Sequence, residues 1–366
     1  MDEKKPQPSQ PPYSTVTSTG AELDAAMLAE RVTAIRIYGT AYARALRWQG
    51  DHLIIGADPA CDLPVSDPSV SWHHATLSRQ GDRVVLTDNR STNGTRSEGE
   101  PRATFQLVPG SQFSLGSVHF VAVNDRVEAL RARLKRFLGF ADVFSAGVDH
   151  AHFAATRRRH VAVLEPIGGG GVGLAHLLHE TAPGGAWPFV MVDERIGDTA
   201  AEQLATLKRA RNGALVVPVA TWPKDARPLR DALAKGTNGV RLVLVAPTGH
   251  LLEPLLGQPL VQQTIAIEIP SIVQRAKVDA HGVELSRLLE LALAEHGAVV
   301  GVAGQVLKPG DMASLLRHDW SGGHKMLDEM VSRLLLVRVH GRTGAADRLG
   351  VGVTALSNWC KRHGFA

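Results

Sequence analysis

The sequence has few of the residues and segments on which several protein classes depend. Among its 366 residues only Cys61 and Cys360 are cysteines, and they lie far apart, which excludes a disulfide framework and a cysteine-based metal site. No run of about eighteen apolar residues occurs, and the first residues lack the apolar core of a signal peptide. We therefore expect a soluble, cytoplasmic protein that has no membrane partner.

The composition is that of a globular protein with several domains. Hydrophobic residues make up 44% and charged residues 21% of the chain, and the length predicts roughly two to four domains. A net charge of +4 permits binding to nucleic acid without requiring it. The chain begins with a stretch rich in Pro, Ser, Thr and Gln, and we predict a disordered tail over residues 1–29.

Hydrophobic periodicity divides the rest of the chain. Residues 30–124 contain short β-type runs separated by Gly, Pro, Asp and Asn turns, which predicts a β-sandwich. Residues 125–139 have the period of one amphipathic helix, a natural linker between domains. Over residues 140–270, apolar runs such as "HVAVLEP" and "VRLVLVAP" alternate with helical stretches, which predicts a mostly parallel sheet covered by helices. Because the remainder has a helical pattern, we expect a multidomain fold that ends in an all-α region.

Three clusters in the predicted sandwich belong to one known pattern. Gly56 precedes the first loop, Ser71 and His74 stand in an S-x-x-H arrangement, and Asn93 and Gly94 form a turn. On these residues the region resembles the forkhead-associated (FHA) family, β-sandwiches that bind phosphothreonine peptides. A Ser hydroxyl on a loop can donate to a phosphate oxygen, and an Asn side chain can bond a peptide main chain through both its donor and its acceptor.

The FHA resemblance implies a ligand surface and a structural support behind it. Ser71 and Thr92 would face the phosphopeptide, Asn93 would hold its main chain, and His74 would brace the loop from inside. The implied phosphopeptide-binding residues are Gly56, Ser71, Thr92 and Asn93, and the implied structural residues are His74 and Gly94.

One residue departs from the FHA pattern. The family has an Arg directly after the first glycine, where this chain has Ala57. A forked guanidinium is the usual partner of a phosphate group, so binding should weaken without it. Arg90 and Arg96 are the nearby cations, but the sequence does not place either beside Ser71. Two partners therefore stay open: a phosphothreonine peptide, and a protein that docks on the sandwich without phosphate.

A glycine run marks the start of the α/β region. The stretch "VLEPIGGGGVGLAHLLHE" at residues 163–180 has the layout of strand, glycine turn and helix that cradles phosphates, yet it contains no lysine. Its loop glycines are Gly168, Gly170, Gly171 and Gly173. An alternative interpretation is a dinucleotide fingerprint, because Gly168, Gly170 and Gly173 satisfy G-x-G-x-x-G and Asp193 follows at the distance of a ribose-binding carboxylate.

Two further segments identify a family for this region. The stretches "HETAPGGAWPFVMV" and "LRHDWSGGHKMLDEMVSRLLLV", the second with Asp319, Trp320 and Gly322, resemble the AAA+ ATPase domain of the bacterial enhancer-binding activators that open sigma-54 promoters. The resemblance implies an AAA+ α/β subdomain over residues 140–270 and a helical lid over residues 271–335.

The positions that carry ATPase chemistry in that family are replaced here. The phosphate-binding lysine falls at Gly171, the metal-binding acidic pair falls at Pro218 and Val219, and the lid's sensor arginine becomes Lys325. The loop that touches the sigma factor is missing from residues 193–212. Without a phosphate cation or metal ligands the domain should be a pseudo-ATPase with no catalytic residue, no metal and no cofactor, and we expect it to serve as a scaffold or homo-oligomerisation module.

The final segment, "GRTGAADRLGVGVTALSNWCKRHGFA", is similar to the DNA-binding end of the Fis family. The resemblance implies a helix-turn-helix over residues 336–366 whose second helix lies in the major groove of DNA. It implies base contacts by Thr354, Ser357 and Asn358, and phosphate contacts by Arg342, Lys361 and Arg362.

The order of these modules resembles FHA-type sigma-54 activators. We therefore expect a non-catalytic, DNA-binding transcriptional regulator whose FHA module receives an input from a partner. The alternative is a scaffold in which the FHA and pseudo-ATPase domains organise an assembly and the C-terminal end binds no DNA.

Overall fold

The N-terminal part of the chain is a sandwich of two mostly antiparallel β-sheets. The structure is a computed structural model and describes residues 30–157, 159–181, 187–236, 239–278, 282–302 and 307–365. The sandwich strands are β1 Ala34–Ile37, β2 Ala43–Ala45, β3 His52–Gly56, β4 Leu63–Pro64, β5 Ala75–Gln80, β6 Arg83–Asp88, β7 Thr95–Ser97, β8 Glu100–Pro101, β9 Thr104–Leu107, β10 Gln112–Leu115 and β11 Val118–Val123. One sheet has the order β2-β1-β11-β10-β7-β8, and the other has the order β4-β3-β5-β6-β9.

Alternating side chains fill the space between these two sheets. Along β5, Ala75 and Leu77 are fully buried, whereas Thr76 between them points away from the core. The facing sheet contributes Phe113 and Phe120, whose rings stack 5.1 Å apart. Burial of this apolar surface is the main source of the sandwich's stability.

Two helices cover the outer face of the first sheet. They are α1 Asp125–Leu138 and α2 Ser145–Thr156. Arg36 on β1 points outward from the sandwich, yet it is only 1% exposed because its guanidinium contacts Asp149 on α2, at 2.6 Å, and Glu128 on α1. Arg131 of α1 binds the same Asp149 carboxylate. The sandwich is therefore fixed to α1 and α2 by a largely buried group of charges, and α1 lies at the position of the predicted linker helix.

The α/β region has a wholly parallel, five-stranded sheet. Its strands are β12 His160–Leu164, β13 Phe189–Met191, β14 Ala214–Pro218, β15 Arg241–Ala246 and β16 Thr264–Glu268, in the order β13-β14-β15-β12-β16. Its helices are α3 Gly171–Glu180, α4 Ala200–Arg209, α5 Arg227–Ala234, α6 Leu252–Leu256 and α7 Gln258–Gln262. All six residues of β15 are buried, as expected for a strand with helices on both faces of its sheet.

The C-terminal region is helical and has one shared core. Its helices are α8 Ile272–Val278, α9 Val283–Val299, α10 Asp311–Leu316, α11 Gly323–Leu349 and α12 Val353–Arg362. Gly341 breaks α11 with a positive φ of 68°. Residues on both sides of that break join one cluster, in which Leu356, Cys360 and Phe365 pack with Leu315 and Trp320. The last helix is therefore anchored to the helices before it.

The overall plan confirms the coarse expectation of a β-rich N-terminal region followed by α/β and helical regions. The predicted tail at residues 1–29 lies outside the described residues. The predicted boundary between residues 335 and 336 falls inside α11, and the break in that helix comes a few residues later, at Gly341. Among the described helices, none combines the length and apolar character needed to cross a membrane.

Candidate functional site

The structure brings the predicted FHA residues together at one end of the sandwich. The Ser71 hydroxyl accepts a hydrogen bond from the backbone N–H of Thr92 at 3.0 Å, and the two hydroxyl oxygens lie 3.5 Å apart. The side-chain amide of Asn93 donates to the backbone carbonyl of Ser69 at 2.8 Å. Thr92 and Asn93 are exposed, so a ligand can reach both of them.

His74 supports this surface from within the core. Its Nδ1 accepts a hydrogen bond from the backbone N–H of Ser71 at 3.0 Å, which places the ring proton on Nε2, where it is 3.2 Å from the carbonyl oxygen of Gly94. Burial lowers the pKa of His74, which favours this neutral form. The ring thus connects the loop of Ser71 to the turn of Gly94.

Gly56 is needed because another backbone segment passes close to it. A Cβ atom at Gly56 would lie 2.2 Å from the carbonyl oxygen of Trp72. The next two residues bond to the Ser71 loop: Ala57 N–H donates to the Ser71 carbonyl at 3.0 Å, and Asp58 N–H donates to the Trp72 carbonyl at 3.1 Å. Gly56 therefore shapes the site through its backbone.

The surface around Ser71 lacks the cation that the family pattern has at position 57, and it carries an exposed aromatic ring. Ala57 offers no charge, while the side chain of Trp72 is 61% exposed. The guanidinium of Arg96 donates to the carbonyl of Gly99 at 3.2 Å, so it is held at its own turn. This end of the sandwich can therefore offer hydroxyl and amide groups and an apolar ring to a partner.

A side-chain carboxylate lies at the glycine turn after β12. Gly168 and Gly170 have positive φ angles of 67° and 79°, and α3 begins at Gly171. The carboxylate of Glu165 accepts a hydrogen bond from the backbone N–H of Gly171, at the helix terminus where a phosphate would otherwise bind. Glu165 is a part of the turn that was not predicted, although it stands directly before Pro166 and the glycine run.

The start of α11 packs tightly against the same turn. The backbone N–H of Lys325 donates to the carbonyl of Gly168 at 3.0 Å. A Cβ atom at Gly168 would lie 2.1 Å from the Gly322 carbonyl oxygen, and one at Gly323 would lie 2.6 Å from the Ile167 carbonyl oxygen. These contacts account for the glycines by close approach of two backbones, without any ligand.

Gly170 and Gly173 of the run face Phe137 on α1. A Cβ atom at Gly173 would meet the Phe137 ring at 3.1 Å, and one at Gly170 would meet the same ring at 3.5 Å and His324 at 3.4 Å. His324 is buried and its pKa is lowered to about 3, mainly by desolvation. An uncharged, packed surface therefore borders the turn on this side.

The strand order does not fit the dinucleotide interpretation. A ribose-binding carboxylate must end the strand next to the glycine turn. Here β13, which precedes Asp193, is separated from β12 by β14 and β15, a spacing of about 14 Å for three adjacent strand intervals. Asp193 is thus too far from the turn.

The positions of the family's metal-binding acidic pair lie at the end of β14. They are Pro218 and Val219, whose side chains provide no oxygen ligand.

The last helix has one buried and one exposed face. Leu356 and Cys360 are buried on α12, whereas Thr354, Asn358 and Lys361 are exposed. Arg362 is exposed beside them, while Ser357 and Arg342 are half-buried. The left-handed Gly350 ends α11 before this helix. Five of the six predicted DNA contacts therefore lie on α12, and Arg342 lies just after the break in α11.

Sequence comparisons find a family model and a curated relative that are similar to part of the chain. Residues 37–126 match a family described as the cytoplasmic domain of an inner-membrane component of T3SS. An oxoglutarate dehydrogenase inhibitor from Corynebacterium jeikeium is 34% identical over 74 residues, which cover 20% of this chain and 51% of that protein. The chain therefore spans about half the length of this curated relative.

Two solved structures are similar to different shares of the chain. The FHA domain of the CT664 protein from Chlamydia trachomatis is 27% identical, with coverage of 25% of this chain and 95% of that one and a TM-score of 0.23. NtrX from Brucella abortus is 15% identical over 65% of this chain and 72% of its own, with a TM-score of 0.40. The N-terminal sandwich is FHA-like. The similarity to NtrX is too low to assign a function to the remaining regions.

Proposed function

We propose that the protein is a non-catalytic, DNA-binding transcriptional regulator with an FHA-like docking module. The exposed face of α12 carries this proposal. Its polar and basic side chains, Thr354, Asn358, Lys361 and Arg362, lie opposite a buried apolar ridge. A helix held in this way can enter a major groove without losing its core contacts. Neither Lys361 nor Arg362 has an acidic partner within the part of the chain that the structure describes.

The C-terminal charge balance also supports binding to DNA. From residue 321 to the end, the sequence has seven Lys and Arg residues and three Asp and Glu residues. A single short helix touches few phosphates, so one copy should bind weakly. We infer that the protein acts as a homo-oligomer, with two α12 helices on neighbouring half-sites of the DNA.

We infer that the α/β and lid regions form a pseudo-ATPase scaffold of the AAA+ type. Two contacts at the glycine turn support this inference. The Glu165 carboxylate accepts from the Gly171 N–H, where a nucleotide phosphate would have to bind, and the start of α11 packs against the backbone of the turn. A nucleotide would need to displace a carboxylate and a packed backbone to reach the N-terminus of α3. The scaffold then serves to hold the sandwich and α12 in fixed positions.

We infer that the FHA-like end docks a partner protein, with phosphothreonine as a weaker alternative ligand. The presence of Ala57 in place of an arginine and the exposed Trp72 favour contacts that do not depend on phosphate charge.

The DNA-binding proposal is tested by titrating a random-sequence duplex with the full chain at several salt concentrations. A Lys361→Ala/Arg362→Ala variant should bind more weakly, and its plot of log affinity against log salt concentration should be shallower by about two phosphate contacts. Lys208→Ala/Arg209→Ala is a matched control, because these residues are also an adjacent, exposed pair in the last turn of a helix. No binding by the unaltered chain would favour the scaffold without DNA.

A further inference from the structure

An apolar cavity opens at one edge of the FHA-like sandwich, and Ser71 does not line it. Its volume is about 220 Å³. The floor consists of buried apolar side chains from both sheets, namely Ile35, Ile55, Leu63, Val65 and Phe120. A cavity of roughly 150 Å³ already accepts a benzene ring in another protein, so this cavity has room for an aromatic ring.

The rim of the cavity has a different chemistry from its floor. Tyr42 is 81% exposed and Arg44 is also exposed, and both line the opening. In the β1–β2 register Arg44 stands opposite Ile35. Residues opposite each other in an antiparallel pair point to the same face of the sheet, so the Arg44 side chain leaves β2 on the core side and turns outward over the opening.

Arg44 brings a positive charge to this opening. Its guanidinium donates to the carbonyl oxygen of Pro64 on the opposite edge strand, β4. Among the described residues it has no carboxylate partner. A guanidinium presents several donors in a planar fork that fits a carboxylate. An apolar cavity under a guanidinium that is bonded to only one neutral carbonyl is therefore complementary to a molecule with an apolar body and one anionic end.

We propose that this cavity binds a small carboxylic acid with an aromatic or compact aliphatic body. The body fills the space between the sheets, and the carboxylate pairs with Arg44 at the rim. The site lies at the open side between β2 and β4, so its ligand is distinct from a partner that docks at Ser71 and from DNA at α12.

The turn that lines one side of the cavity is hydrogen-bonded to α1 and α2. Thr40 lines the cavity, and its carbonyl accepts a hydrogen bond from Arg131 at 2.9 Å. The N–H of the neighbouring Gly39 donates to the Asp149 carboxylate at 2.9 Å. A bound acid would therefore stabilise a turn that is already bonded to α1 and α2, and it should raise the stability of the full chain.

The proposal is tested by isothermal titration calorimetry of the full chain with 3-phenylpropionate as the probe. We expect saturable binding to the unaltered chain, and binding at least about tenfold weaker to 3-phenylpropionamide, which has the same shape without the charge. Arg44→Gln should weaken 3-phenylpropionate binding by at least about tenfold and leave binding of the amide unchanged. Arg83→Gln, at an exposed position on β6, should change neither.

A second variant tests the cavity itself. Val65→Phe should fill the space and abolish binding of both molecules, in protein whose circular dichroism spectrum shows that it is folded. Absence of saturable binding by the unaltered chain would overturn the proposal, and so would equal binding by Arg44→Gln. Either result would leave Arg44 as an inward-pointing charge that prevents edge-to-edge association of β2.

Discussion

The carboxylate of Glu165 and the backbone N–H of Gly171 form a hydrogen bond at the N-terminus of α3. This bond places a side-chain anion where the helix dipole and the free N–H groups would otherwise attract a phosphate. Together with the Lys325 N–H bond to the Gly168 carbonyl, it turns a nucleotide-type loop into a packed contact between the α/β region and α11.

Removal of that carboxylate should destabilise the protein. Glu165→Ala leaves the Gly171 N–H without its charged acceptor, and we expect a loss of about 1–2 kcal/mol in the free energy of unfolding. Urea denaturation followed by circular dichroism measures the change. Glu194→Ala, at an exposed position of the same region, is the control and should have little effect. Equal stability of the two variants would show that the Glu165 bond contributes nothing.

The buried Asp149 should be far more sensitive than an exposed acid. Its carboxylate contacts Arg36 and Arg131, so Asp149→Ala leaves the buried guanidinium of Arg131 without its counter-charge and leaves Arg36 with Glu128 alone. Breaking a buried ion pair in this way costs about 3–5 kcal/mol. Asp142→Ala, at an exposed position just before α2, should cost much less. Similar urea midpoints for the two variants would contradict the proposed role of Asp149 in fixing the sandwich to the helices.

Buried histidines should make the protein sensitive to acid. Burial lowers the pKa of His152 to about 3 and that of His160 to about 4. Between those values and pH 6.5 the unfolded chain binds protons that the folded chain does not, so stability falls as the pH falls through this range. Each such histidine contributes a slope of about 1.4 kcal/mol per pH unit.

The pH dependence is tested by urea denaturation at pH 7, 6 and 5. His152→Gln should reduce the slope of stability against pH by about 1.4 kcal/mol per unit. His250→Gln, at an exposed position, serves as the control. A slope that is unchanged in His152→Gln would mean that folding does not lower the pKa of His152.

The FHA-like end should gain phosphothreonine binding when its missing cation is restored. Ala57→Arg places a guanidinium beside Ser71, whose carbonyl already accepts from the Ala57 N–H. A charge-assisted hydrogen bond contributes about 1.5–3 kcal/mol, so we expect at least about a tenfold gain in affinity for an immobilised phosphothreonine peptide library. Gln80→Arg adds the same charge at the far end of β5 and should give no gain. An equal gain in both variants would indicate non-specific attraction.

The sequence predicts local features of the fold better than long-range ones. The turn at Gly168 and the helix after it follow from glycine chemistry and a helical period, and the β-rich character of the first region follows from alternating residues. The bond between Arg36 and Asp149 joins residues 113 positions apart, and no local pattern indicates it. Strand order is likewise absent from local periodicity, which is why Asp193 looked suitable for a ribose site until β13 was found at the sheet edge.

Calorimetric titration of the full chain with ATP and Mg²⁺ shows whether the glycine turn can hold a nucleotide. Because Glu165 and the start of α11 fill that turn, we expect no saturable heat up to about 1 mM nucleotide, which corresponds to a binding free energy weaker than about −4 kcal/mol. Saturable binding of ATP that is lost in Gly168→Val, in protein that remains folded, would contradict that expectation.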